Sequence, residues 1–267
     1  MSLRESRRRK REPWEYHVPG YDHIDKSALE DEMILHIDRD ILVINKPNRL
    51  PLYKGPGGGP VLADRLDGWR FGRKGRPSPV HRLDAATSGC LVLGRHRAAR
   101  REISDLFASG RVEKRYLAIV QGSPPRSQGT INLPLFDNGW PGRPRILVSD
   151  QGKMGETNYT IVAANDALAL LLLIPKTGRT HQLRVHCAAA GCPILGDPLY
   201  GGEPVDGRAM HLHAATISLP LDTPLTLTAP LPPEMNQTLA DLVEDADTWW
   251  QSFRTRMRDS MKQSSAA

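Results

Sequence analysis

The alternation of apolar and polar positions becomes regular at Met33. MILHIDRDILVINKP holds two short β-type runs around Asp38-Arg39-Asp40, which predicts a hairpin whose second strand ends at Lys46-Pro47. KGPGGGP (54–60) reads as a flexible loop, VLADRLDGW as a short helix and FGRKGRPSP as a cationic, turn-rich loop. After HRLDAATSG comes a strand, CLVLG. A helix then runs from Arg97 to Ser109, with Ile103, Leu106 and Phe107 on one face and Gly110 as its stop. KRYLAIVQG, NYTIVAAN and ALALLLLIP read as three further strands, the last apolar enough to be buried on both faces. RTHQLRVHCAAAG has helical spacing and closes at Gly191; AMHLHAATISLPL and LTLTAPLP add late strands. Residues 234–260 read as one C-terminal helix carrying Trp249 and Trp250. The pattern predicts a strand-rich α+β fold with two or three helices: a leader over 1–30, a single domain over 31–232 without a composition break, and a C-terminal helix with a basic tail over 233–267.

Composition narrows the setting. With 39% hydrophobic and 25% charged residues over 267 positions, the chain is of globular type and needs no staples to fold. Three cysteines, Cys90, Cys187 and Cys192, form no CxxC pair. Neither a disulfide framework nor a cysteine-based zinc module is expected, and a reducing cytoplasm is the expected home. The longest apolar run, Ala167 to Ile174, falls well short of the ~20 residues of a membrane helix. No apolar stretch follows the charged N-terminus, so a secretory signal is not expected either.

Charge changes the picture more. The net charge is +6, yet twelve basic and only four acidic residues lie between Arg70 and Arg115, and basic clusters also sit near both termini. A basic central segment points to a polyanionic partner such as a nucleic acid.

Three stretches concentrate reactive side chains. His81-Arg82-Leu83-Asp84-Ala85-Ala86-Thr87-Ser88-Gly89 enters a strand from a loop, the usual mount for functional groups. Asp84 is there a candidate nucleophile or base and Arg82 a phosphate or carboxylate partner; the bland alternative is an Asp-capped turn. In Lys176 to His186, helical spacing puts Thr180 and Arg184 on one face and His181 and His186 less closely together. HxxxxH is not the spacing that sets two imidazoles on one metal, and an inward Arg184 requires a carboxylate. In Glu113 to Ala118, strand alternation puts Tyr116 and Ala118 on one face, where an aromatic ring beside basic side chains suits stacking on a base. A base deaminase would need HxE and PCxxC ligands, and a methyltransferase a glycine-rich cofactor loop after a strand; neither occurs, and KGPGGGP lacks both GxGxxG and GxxxxGK(S/T).

In order along the chain, INKP (44–47), HRLDAATSG (81–89), KRYLAIVQG (114–122), GRTHQLRVH (178–186) and PILGDPLYGG (193–202) resemble the RluA family of RNA pseudouridine synthases. NLPL (132–135) and WPGRP (140–144) resemble its short RluA branch, which acts on ribosomal RNA and a tRNA anticodon stem-loop. The resemblance implies the family's catalytic fold, a curved, mostly antiparallel sheet in two halves with flanking helices and an active cleft between them. It further implies isomerisation of uridine to pseudouridine without cofactor or metal. Asp84 would be the catalytic aspartate, Arg184 its paired arginine, and Tyr116 the residue stacked on the target uracil. Arg82, Arg95, Lys114, Arg179 and His181 are the candidates for RNA contacts. The expected partner is structured RNA, ribosomal or a tRNA stem-loop, met by a monomer. The leader is too short for an S4-type RNA-binding domain, so the catalytic domain is expected to find its RNA by itself. The alternative is a relative that binds RNA in folding or ribosome assembly without turnover. One departure stands out: Arg49 occupies the place, two residues after NKP, where the family has a glycine free to take a positive φ.

Overall fold

The structure, a computed structural model, describes residues 33–54, 60–139, 145–202 and 209–264. The leader (1–30), WPGRP (140–144) and most of the KGPGGGP loop lie outside the described residues. Strands β1 (Ile34–Ile37) and β2 (Ile41–Lys46) form the expected hairpin. Asp38 makes its turn by accepting from the N–H groups of Asp40 and Ile41, both at 2.7 Å. A two-residue strand, β3 (Ser78–Pro79), precedes β4 (Ser88–Gly94), which is buried at every position. Helix α1 (Arg97–Ala108) is capped by His96, whose ring nitrogen accepts from Ala99 N. Then come β5 (Glu113–Gln121), β6 (Gln128–Asp137), β7 (Ile146–Val148), β8 (Lys153–Ala164), β9 (Leu168–Pro175), α2 (Gln182–Ala189), β10 (Leu212–Leu219), β11 (Leu225–Thr228), α3 (Pro233–Leu239) and α4 (Ala246–Ser264).

The described strands form one sheet in the order β1-β2-β4-β10-β5-β9-β8-β6-β7, with β3 also on β4 and β11 also on β10. Every pairing is antiparallel except β4 with β10, where only His213 with Ser88 and Ala214 with Gly89 are in register. That short parallel seam joins the two halves of the mixed α+β fold. Gly89 permits it: its φ is +106°, and a Cβ there would run into the Ala214 backbone.

Alternation sorts the side chains into two layers. Ile41, Val43, Leu117, Ile119, Ala215 and Ile217 face α1, α3 and α4, where Ile103, Met235, Trp250 and Phe253 cover them. Leu42, Ile44, Ala118, Val120, Leu171 and Leu173 face the other side, against Leu62, Leu66 and Trp69 at one end and α2 at the other. Tyr116 packs against both of these clusters, at the point where they meet.

Four expectations need correction. Strand β6 is absent from the predicted elements, because Pro134 breaks its β-type pattern; it nonetheless pairs with β8 from Gln128 to Leu135, and the Pro134 carbonyl accepts from Ser149 N. VLADRLDGW makes only a 3-10 turn at Leu62–Asp64 before its chain turns again. The C-terminal helix is two helices, α3 and α4, separated by residues 240–245. Finally, α2 begins at Gln182, so Thr180 lies in the preceding turn and shares no helical face with Arg184. No helix among the described residues is long and apolar enough to cross a membrane.

Candidate active site

A cleft of about 510 Å³ opens on the sheet face that carries Tyr116, between the 81–87 loop and the 176–181 turn. The loop is anchored by Leu83, which is buried among Leu91, Leu93 and their neighbours. A tight turn follows, in which Thr87 N donates to Asp84 O at 3.1 Å. Below the turn, the Ser88 hydroxyl meets His213 Nδ1 at 2.9 Å, and His213 Nε2 reaches Ala229 O at 3.2 Å. His81 faces inward, stacked on Phe107 at 4.3 Å, and its Nε2 accepts from Val92 N. Burial and the charge of Lys114 push its pKa down to about 3, so it stays neutral as a loop anchor.

Lys46 is the floor of this loop. Its side chain, with the residue wholly buried, donates to the carbonyls of Pro47, Leu50 and Ala85 at 2.9, 3.0 and 3.0 Å. Burial pulls its pKa down to about 7, against the pull of Asp84. Three acceptors require three N–H donors, which only the ammonium form has, and this favours the charged state. Arg49, three residues beyond the end of β2, takes φ +60°. This is the left-handed backbone anticipated at that position, and it bears a cost of about 1 kcal/mol for a residue with a Cβ.

The opposite wall is built by Gln182, the first residue of α2. Its Oε1 accepts from the Thr177 hydroxyl at 2.7 Å and from Arg179 N at 3.0 Å; its Nε2 donates to Glu156 O and Thr157 Oγ1, both at 2.9 Å. All four valences of a buried amide are used, and they fix the Gly178-Arg179 turn over the cleft. Two residues later, Arg184 projects inward as expected, but its principal partner is Asp197. Nε and Nη2 reach the two Asp197 oxygens at 2.8 and 2.7 Å. Asp84 receives only Nη1, at 3.6 Å from Oδ2. The expected Arg184–Asp84 pair is present but secondary: the fork matches the fully buried Asp197, and the remaining corner, Nη1, faces Asp84 in the cleft.

His181 also stands beside Asp84, its Nε2 3.8 Å from the same Oδ2. The expectation that grouped it with His186 fails, since His186 turns into the core and meets Thr157 Oγ1 at 3.0 Å. Tyr116 lines the cleft, and burial together with the charge of Asp84 raises its phenol pKa, so it stays protonated. Arg82 and Arg179 are exposed at the rim and Lys114 lies along the wall, its pKa lowered by burial. Arg95 does not belong with them. It is 2% exposed, and its guanidinium is spent on the carbonyls of Asp38, Arg70 and Phe71. It ties the β1–β2 turn to the 70–71 loop and cannot reach a phosphate.

Lys46, Asp197, Tyr200 and Gln182 all lie within motifs quoted from the sequence, yet received no role there. The available signal was weak: a lysine at an inward position of an apolar strand, and polar residues inside a glycine- and proline-bounded turn.

This constellation gathers one carboxylate, an aromatic ring, a guanidinium and a rim of cations in a cleft wide enough for a base and its sugar. Residues 40–189 match the RNA pseudouridylate synthase family. The chain is 41% identical to an uncharacterized RNA pseudouridine synthase of Zymomonas mobilis over 74% of its own length and 93% of that protein. It is 40% identical to the dual-specificity RNA pseudouridine synthase RluA of Escherichia coli over 70% of its length and 86% of that protein. Among solved structures it is similar to human RNA pseudouridylate synthase domain containing 4, at 28% identity and a TM-score of 0.69, over 80% of this chain and 94% of that one. The chain belongs to the RNA pseudouridylate synthases, isomerases of RNA, and within them to the RluA family.

Proposed function

We propose that the protein isomerises specific uridines of ribosomal RNA, a tRNA stem-loop or both, with Asp84 as its catalytic carboxylate. The observation that carries this reading is the placement of Asp84. Its side chain is 18% exposed at the cleft floor, with Arg184 and His181 on one carboxylate oxygen and Tyr116 on the cleft wall. The reaction breaks the N1–C1′ bond and forms C5–C1′; one proton leaves C5 and N1 gains one. A carboxylate can assist by attack on the sugar or by taking a proton from it. The change is redox-neutral, so no cofactor is invoked. Tyr116 would stack on the uracil once it has left its own stack, at a cost of a few kcal/mol. Arg82, Lys114 and Arg179 would hold the flanking phosphates. Because one chain supplies every group of the cleft, we infer that it acts as a monomer. Three free, buried cysteines suit a cytoplasmic setting.

The test uses transcripts of large-subunit ribosomal RNA and of tRNA anticodon stem-loops labelled with tritium at uridine C5. Turnover releases the label. Asp84→Asn should abolish release while RNA affinity stays within about threefold, since affinity rests on many phosphate contacts. Substantial release by Asp84→Asn overturns the assignment, and a wild-type protein that binds RNA without releasing tritium favours the non-catalytic alternative.

A further inference from the structure

The imidazole beside Asp84 is itself held by a phenol. His181 Nδ1 and the Tyr200 hydroxyl lie 2.8 Å apart, with their rings edge to face at 5.7 Å. Among the described residues, the other neighbours of the hydroxyl decide which way its proton points. A phenol has one proton to give. Ile146 N, 3.0 Å away, donates to the same oxygen and so occupies only an acceptor position. The Arg184 guanidinium lies over the ring, 5.1 Å from its centroid, and has no lone pair to offer. The phenol proton therefore goes to His181 Nδ1, and a neutral imidazole then carries its own hydrogen on Nε2, the nitrogen that faces Asp84.

Two further features agree. Burial raises the Tyr200 pKa, so the phenol keeps the proton it must donate. Burial, joined by the charges of Arg184 and Arg82, lowers that of His181 against the opposite pull of Asp84 and Asp197, so the ring is neutral near pH 7. His181 also takes φ +50°, a left-handed backbone that costs a non-glycine residue on the order of 1 kcal/mol. It does so at the N-cap of α2, where that backbone sets its ring between Tyr200 and Asp84.

We propose that Tyr200 and His181 are positioning residues for Asp84: the phenol selects the Nε2–H imidazole, which shares Oδ2 with Arg184 and leaves Oδ1 directed to the sugar. The proposal rests on the pseudouridine synthase reading given above. On RNA binding the 3.8 Å approach would close to a hydrogen bond.

The test combines long-range 1H–15N spectra of 15N-histidine-labelled protein with single-turnover tritium release from the same ribosomal RNA and stem-loop transcripts. The His181→Gln spectrum assigns the resonance. The wild-type protein should show an unprotonated Nδ1 and a protonated Nε2 at pH 7. Tyr200→Phe should shift the ring toward the other tautomer and slow the single-turnover rate by roughly tenfold, with RNA affinity within about twofold. His181→Gln, whose amide N–H can reach Oδ2, should retain more of the rate than His181→Ala. A wild-type ring protonated on Nδ1, or a Tyr200→Phe protein with unchanged tautomer and rate, overturns the proposal. Should Tyr200→Phe not fold, the wild-type tautomer and the two His181 variants decide. An inert wild-type protein would count against the enzymatic reading, while the tautomer would still be read directly.

Discussion

Replacing Asp197 by Asn reveals which carboxylate Arg184 belongs to. Two charged hydrogen bonds, at 2.8 and 2.7 Å, join Arg184 to Asp197, and the Asp197 side chain is fully buried. Asp84 has one contact of 3.6 Å and keeps 18% of its side chain in solvent. Hydrogen bonds between charged groups are worth about 1.5–3 kcal/mol each, and breaking a buried pair costs roughly 3–5 kcal/mol. The Asp84 contact is beyond hydrogen-bonding length and partly screened by water, so its coupling should be about 1 kcal/mol. The assay is a pair of double-mutant cycles in urea, Arg184→Met with Asp197→Asn and Arg184→Met with Asp84→Asn. The first cycle should return a coupling of about 3 kcal/mol or more, the second about 1 kcal/mol. Equal couplings, or a larger one with Asp84, would show that the fork turns to the cleft in solution and that the reasoning from bond lengths fails.

Lys46→Met strips three carbonyls of their donor and should cost about 3 kcal/mol or more in urea unfolding while slowing single turnover through the loosened Ala85 loop; a loss below about 1 kcal/mol would mean water replaces the ammonium without penalty. Gly89→Ala should lower the melting temperature sharply, at about 2–4 kcal/mol, because its Cβ meets the Ala214 backbone at the parallel seam; an unchanged melt would show that the seam can open without loss. Burial lowers the pKa of His213 to about 4, so the folded protein binds fewer protons than the unfolded chain below pH 6.5. Stability should be full above pH 6.5 and fall as pH drops toward 4, by up to about 3 kcal/mol from this group. Urea midpoints at pH 7, 5.5 and 4.5 read the slope, which His213→Gln should flatten; an unaltered slope in that variant would assign it to other groups.

The apolar pattern was enough for β4, β5, β8, β9, β10 and α1, because half-buried strands and helices repeat at two and at 3.6 residues, and strands buried on both faces read as short continuous apolar runs. It missed β6, where Pro134 hides a strand held by its neighbours, and it ran α3 and α4 together, because the break at 240–245 carries no glycine or proline. The motifs likewise named Asp84, Tyr116 and Arg184, and the missing glycine at Arg49 marked a left-handed position that the backbone does adopt.

What the chain order could not hold is the direction in which a charged side chain points. Arg95 sits in the most basic stretch, yet it faces inward to three carbonyls; counting charge along a sequence treats every side chain as if it stood in water. Arg184 does meet Asp84, but only as its second partner, since the division between Asp84 and Asp197 depends on which carboxylate the fold buries at the angle of the fork. The Tyr200–His181–Asp84 line is assembled from three loops and exists only where the sheet brings them together. Local pattern determined the elements and the reactive residue types, because those follow from the backbone's own periodicities. Partners, tautomers and buried charges belong to the tertiary structure, because they are set by distances between segments far apart in the chain and by how much water the packing leaves beside them.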